Sequence, residues 1–247
     1  MGRVIGMLGA KGSGKDTCAA FLIKEAGYRR VGFADTLYEE VAGANGVTTA
    51  FFGNRRTKEM KLGKLALKHC RNRDFVEVAL ETLNPNPRIR RQAMSYYLTG
   101  TIAAHTPHRV VKALIDNARS PRWTMQLWGT EYRRKSKYGV DSYWLDQVAA
   151  LIKAHPEADF VITDVRFKNE AVFVEFIGGW LVRVTRPVLE ALEAAERAKN
   201  GTAAHASETE LLNYPVKHTV LNEEGKLDKL RAAILGVAGV PEYLKAA

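Results

Sequence analysis

The chain opens with a continuous apolar run, Arg3 to Leu8, of the length and character of a strand buried on both faces. Gly9 to Gly14 then reads as a loop. Asp16 to Ala26 reads as a helix with Ala19, Ala20, Leu22 and Ile23 on its packed side, stopped by Gly27. A second strand, Arg30 to Ala34, leads into a helix starting near Asp35. Strand signals return at Phe160 to Asp164, Trp180 to Thr185 and, more weakly, Val216 to Leu221. Between and after them, Asp141 to Ala154 (with Trp144, Leu145, Val148, Leu151 and Ile152 as its apolar set), Asn169 to Ile177 and Lys226 to Leu235 carry helical periodicity. Strands separated by helices imply parallel crossover connections. The expected fold is therefore α/β: a three-layer sandwich with a mostly parallel five-stranded sheet and helices on both faces.

One stretch breaks this rhythm. From about residue 45 to 124 the pattern is helical, with Lys58 to Phe75, Val76 to Leu83 and Val110 to Ala118 separated by Asn84-Pro85-Asn86-Pro87 and Thr106-Pro107. Because strands resume afterwards, it reads as a helical insertion within a single domain spanning residues 1–247. It is rich in cations, among them Arg55, Arg56, Lys58, Lys61, Lys64, Lys68, Arg71, Arg73, Arg88, Arg90 and Arg91. The whole chain carries a formal charge of +10, which points to an anionic partner, either a polymer or a phosphorylated small molecule; a basic solvated surface remains the plain alternative. Two cysteines, Cys18 and Cys70, offer neither a disulfide framework nor metal-ligand spacing, as expected in a reducing cytosol, and Cys18 reads as a packing residue. No apolar run is long enough for a membrane span or a signal peptide, so a soluble protein is expected.

The chemistry concentrates at Gly9-Ala10-Lys11-Gly12-Ser13-Gly14-Lys15-Asp16-Thr17, a G-x-x-x-x-G-K sequence placed after a strand and before a helix. Glycines let the backbone curl with its N–H groups inward, and the helix adds its positive end, so this is a phosphate-binding loop (P-loop) that assigns the sandwich to the P-loop NTPase class. Lys15 is placed to bridge β- and γ-phosphates. The hydroxyl usual after the lysine is replaced by Asp16, with Thr17 one step later. Asp16 is then a candidate for holding a metal through water or for orienting the acceptor oxygen, and Thr17 for an α-phosphate.

Other candidates lie at strand ends and on one helical stretch. Asp164 ends an apolar strand, where an acidic residue approaches Mg²⁺ through water, and Arg166 follows at the carboxyl edge of the sheet. A surface ion pair is the alternative for both. Asp35 reads equally as an acceptor-orienting group or a helix cap. Arg122 and Gln126, one helical turn apart, suit a phosphate and a base edge, and Gly129, Thr130 and Arg134 follow them.

Taken in order, Gly14-Lys15-Asp16-Thr17, Phe33-Ala34-Asp35, Gln126 through Arg134, Asp141 with Trp144, Thr163 through Phe167 with Asn169-Glu170, and His205 through Glu208 resemble the bacteriophage-type deoxynucleoside monophosphate (dNMP) kinases. Thr36 departs from the proline the family often has. The resemblance implies an ATP- and Mg²⁺-dependent enzyme converting dNMP to dNDP for viral DNA synthesis, in the cytoplasm of an infected host. It implies an ATP site at Gly9, Lys11, Gly12, Ser13, Gly14, Lys15, Asp16 and Thr17 with Arg186, and a transfer site with Lys15, Asp16, Arg134, Asp164 and Arg166. Asp35, Arg122, Gln126, Gly129, Thr130, Trp144, Arg166 and Glu170 are implied around the nucleotide. Trp144 is assigned there to the sugar, although a core tryptophan fits the same helix pattern. Residues of about 187–207 are implied as a lid, with Arg197, Lys199 or His205 closing over the phosphates. Two other readings stay open: a kinase acting on nucleic acid or a hydroxymethylated base, and a non-catalytic nucleotide-binding protein. Subunit number is open too, a homodimer included.

Overall fold

The computed structural model describes residues 2–189, 191–192 and 210–239. The chain divides into two compact units, Met1–Phe33 with Leu145–Ala247, and Ala34–Trp144.

Among the described residues the first, a sheet unit, holds five strands: β1 (Val4–Leu8), β2 (Arg29–Val31), β3 (Phe160–Ile162), β4 (Trp180–Thr185) and β5 (His218–Leu221). They are all parallel, in the order β2-β3-β1-β4-β5. Side-chain alternation along β1 explains the layers. Ile5 and Met7 join a buried cluster with Cys18, Ala19 and Leu22 of α1 (Lys15–Ala26) and with Leu230, Ile234 and Leu235 of the helix Leu227–Val237 that closes the unit. Gly6 turns the other way, against Val174 of the helix Lys168–Phe176; a Cβ there would lie 3.1 Å from Val174 and 2.9 Å from Leu181. Helices therefore cover both faces, the sandwich expected of a P-loop protein. On α1 the packed side is Cys18, Ala19 and Leu22, while Ala20 and Ile23 face solvent. The helix ends where expected, at Gly27 in the left-handed region.

β2 stops at Val31, short of the expected Ala34. The Phe33 amide donates to Asp164 Oδ1 at 2.8 Å, and the carboxylate lies over Gly32, where a Cβ would come within 3.1 Å of both its oxygens. That contact turns the chain out of the ladder.

The second, helical unit contains α2 (Asp35–Asn45), α3 (Thr49–Gly53), α4 (Arg73–Leu83), α5 (Pro87–Thr99), α6 (His108–Asp116) and α7 (Pro121–Gln126), then a π-helical stretch, Leu127–Lys135. The chain leaves it within α8 (Tyr143–Ala154); helices of the sheet unit that follow include α9 (Lys168–Phe176) and α10 (Leu227–Val237). The helix expected over Lys58 to Phe75 is absent. Leu62 instead donates its amide to the Arg119 carbonyl (2.9 Å) in an antiparallel bridge, followed by two 3₁₀ turns, Gly63–Leu65 and Leu67–His69. Leu65, Ala66 and Leu67 are buried at consecutive positions, a spacing one helix face cannot supply. Conversely, Asn84 to Pro87 does more than separate helices: the Asn86 side chain accepts from Arg88 N (2.9 Å) and Pro87 takes the first turn, starting α5.

Charge is unevenly divided. The helical unit holds 19 Lys and Arg against 10 Asp and Glu, so it carries +9 of the chain's +10. Among the described residues no helix is long and apolar enough to cross a membrane.

Candidate phosphate-binding site

The loop leaving β1 has the backbone its glycines predict. Gly9, Gly12 and Gly14 have φ of 137°, 82° and 109°, conformations L side chains rarely adopt. At Gly9 a Cβ would lie 2.2 Å from the Val184 carbonyl, so the loop also presses on β4 too closely for any side chain. Gly14 is the N-cap of α1 and gives no side-chain cap, leaving first-turn amides for a ligand. Lys15, the first residue of α1, folds its ammonium back onto the carbonyls of Gly9 (2.6 Å) and Ala10 (2.7 Å). Ser13 is fully buried, and its hydroxyl has no hydrogen-bond partner among the described residues. Lys11, Asp16 and Thr17 are exposed. Positive-φ glycines, an uncapped helix start, a lysine and an orphaned buried hydroxyl together fit a polyphosphate.

The carboxyl edge of the sheet is shaped by two acidic residues. Asp164 braces the end of β2 as described. Glu170 is 2 % exposed, and its Oε2 accepts the amides of Arg166 (2.8 Å) and Phe167 (3.1 Å). It therefore holds the backbone of the Arg166 loop from inside. The Arg166 side chain is exposed. Arg186, just past β4, lies 3.4 Å from Glu224. Among the described residues no group of three or more His, Cys, Asp or Glu is assembled to hold a metal by itself. The expected lid, with Arg197, Lys199 and His205, falls largely outside the described residues.

In the helical unit, Asp35 is the first residue of α2, and Ala34 is the cap position, without a side-chain cap bond. Arg122 pairs with Glu59, and Gln126 is exposed at the end of α7. Gly129, Thr130 and Arg134 lie on the π-helical stretch. Trp144 is only 3 % exposed and donates its indole N–H to the Gly129 carbonyl at 3.0 Å. The ring is buried, and its N–H braces the π stretch.

A residue with no motif to announce it organises this stretch. Glu40 of α2 accepts from Trp128 Nε1 (2.7 Å), Arg133 Nε (2.8 Å) and the Tyr143 hydroxyl. Hydrogen bonds of the i to i+5 kind stack residue 128 near residue 133, so both reach one carboxylate oxygen. Trp128 also packs on Phe75 (ring centroids 4.5 Å apart) and Tyr132 (5.1 Å). Burial, then donation to the Glu40 carboxylate, pushes the Tyr143 hydroxyl up to about 12. Burial works against the charge of Arg133, and Glu40, with Tyr132 and Tyr143 beside it, together more than offset that and hold its pKa above the ordinary value.

No protein-family model matches the chain. A putative deoxynucleotide monophosphate kinase of Acanthamoeba polyphaga mimivirus is 25% identical over 236 residues, covering 94% of each chain. The deoxynucleoside-5'-monophosphate kinase of Escherichia phage T5 is 26% identical over 255 residues, covering 95% of each. The resemblance read from the motifs extends over nearly the whole chain. These viral dNMP kinase relatives match it across both units, the basic helical one included. Among solved structures, TT1252 from Thermus thermophilus aligns with a TM-score of 0.40 at 15% identity, covering 97% of this chain and 98% of its own; that likeness is too slight to carry an argument.

Proposed function

We propose that the chain is a dNMP kinase that transfers the γ-phosphoryl group of ATP to a deoxynucleoside monophosphate, giving dNDP, in the cytoplasm of an infected cell. The observation that carries this is the loop Gly9 to Lys15, with three positive-φ glycines and a lysine at a helix start, in a chain matched over 94–95% of its length by two viral proteins, one named as such a kinase and the other as a putative one. When bound, ATP with Mg²⁺ supplies the phosphoryl group and the cation that offsets charge between phosphates. The chain's own part is electrostatic and positional. Amides of the loop and of the first turn of α1 bind oxygens, and the Lys15 ammonium exchanges the Gly9 and Ala10 carbonyls for phosphate. Asp16 and Asp164 are the proposed metal-side carboxylates, acting through water. Arg134 and Arg166 are the proposed cations for the transferred group, and Arg186 a further ATP contact. Asp35, Arg122, Gln126, Gly129 and Thr130 are proposed for the acceptor on the resemblance. Trp144 and Glu170 serve as positioning residues for Gly129 and Arg166.

The test is ADP release, coupled to an indicator reaction, over a panel of dNMPs, NMPs and modified dNMPs, with Lys15→Met as the control. Turnover of at least one free dNMP, lowered about 10³-fold or more in the control, is expected. Product formed only on DNA favours the nucleic-acid reading, for which the charge of the helical unit speaks. ATP binding without any phosphorylated product favours the non-catalytic one.

A further inference from the structure

We propose that Asn222 is a positioning residue that sets the phosphate loop from outside; this rests on reading Gly9 to Lys15 as the triphosphate site. Asn222 is the first residue beyond β5 and lies in no recognised motif. Its backbone amide donates to the Thr185 carbonyl at 2.8 Å, continuing the ladder from β4, which fixes where its side chain starts. The carboxamide then crosses to the loop, and Nδ2 donates to the Ser13 carbonyl at 2.8 Å. A Cβ on Gly14 would lie only 2.4 Å from the same Nδ2, far inside contact distance. Gly14 is thus glycine for two reasons, its φ of 109° and the side chain parked against it.

The consequence follows from peptide geometry. In a planar trans peptide the C=O and N–H point in opposite directions. A donor that holds the Ser13 carbonyl toward β5 therefore turns the Gly14 N–H to the opposite side. Next to a glycine the peptide plane is free to flip at little cost, since φ of Gly14 meets no Cβ barrier. A flipped Ser13–Gly14 peptide presents a carbonyl oxygen where an amide is wanted, which repels phosphate. Asn222 removes that alternative. It needs a donor at the end of a short side chain: an aspartate of the same shape offers only acceptors to a carbonyl, and leucine offers nothing.

The experiment compares wild type, Asn222→Leu, Asn222→Asp and Asn222→Ala for binding of a non-hydrolysable ATP analogue by calorimetry, with thermal unfolding and the Gly14 amide NMR resonance of the ligand-free protein measured alongside. Asn222→Leu should weaken the analogue about tenfold with no added charge, Asn222→Ala by a similar factor, and Asn222→Asp by more. The Gly14 amide should shift in all three. KM for ATP should rise while KM for the acceptor stays within twofold. Binding by both Asn222→Leu and Asn222→Ala within twofold of wild type overturns the proposal, as does an unchanged Gly14 resonance. Loss of stability with unchanged analogue affinity marks a merely structural residue and overturns it as well. If wild type itself binds no analogue, the reading of the loop fails first, a separate result.

Discussion

Glu40→Ala is the most informative perturbation of the helical unit. The carboxylate receives three donors, from Trp128, Arg133 and Tyr143, and its side chain and that of Arg133 are 17% and 19% exposed. Truncation leaves a guanidinium, an indole N–H and a phenol in a space that opens only partly to water. All three bonds end on a charged carboxylate, and such bonds contribute about 1.5–3 kcal/mol each, an upper sum of roughly 4–9 kcal/mol; with both partners partly open to water, the loss expected is about 3–5 kcal/mol, the range for breaking a largely buried pair. Domains of this kind are stable by only about 5–15 kcal/mol, so the effect is large. Glu40→Gln keeps the shape and one acceptor oxygen while losing the charge, and about half the cost is expected. Urea unfolding followed by tryptophan fluorescence reads both, because Trp128 sits in the network. A cost below about 1 kcal/mol for Glu40→Ala, or equal costs for the two variants, would falsify the claim that this carboxylate pins the π-helical stretch.

Three further outcomes are expected. Gly6→Ala should destabilise the sheet unit by about 1–3 kcal/mol, because the added methyl meets Leu181 and Val174 inside normal contact distance; a neutral result in denaturant unfolding means the α9 layer yields freely. Burial alone would raise the Asp159 carboxyl, yet hydrogen bonds from the Arg3 guanidinium and amide hold it below the usual carboxylate range. A folded value below the unfolded one gives stability that is present above about pH 4 and lost as pH falls through the folded value. Asp159→Asn should therefore flatten the acid limb of a stability-versus-pH curve, and an unchanged slope speaks against the pair. Burial pushes the Cys18 thiol up to about 12 and Cys70 up to about 11. Neither should react with a disulfide reagent at pH 8 until urea is added, and rapid labelling of the native protein contradicts their placement.

What the sequence revealed followed from how local its causes were. The shape of the Gly9 to Lys15 loop was legible because a strand, three glycines, a lysine and a helix start stand side by side, and each acts on its neighbours. Most of the sheet was legible because β1, β3 and β4 are short apolar runs. Glu40 and Asn222 were not, since their meaning comes from partners 88 and 209 residues away. Trp144 and Glu170 matched a family pattern, yet the pattern does not say whether a side chain touches ligand or backbone. The 3₁₀ segment after Leu62 misled because its cations mimic a solvated helix face, while its buried positions run consecutively. Helix α5 was missed for the opposite reason: it buries little beyond Ala93, so periodicity was silent and only the Asn86-Pro87 start marked it.

The order of strands in the sheet has a consequence for biosynthesis. β1, in the middle, pairs Val4 with Phe160 and Ile5 with Trp180, so this strand waits for partners encoded after the whole helical unit. At roughly 5–20 residues per second that wait lasts on the order of 10–30 s. During it an apolar strand has no ladder to join, while the intervening 34–144 segment is contiguous and complete. An apolar strand is thus made ahead of a segment of net charge +9, and like charge of that size disfavours association of one chain with another until the sheet closes.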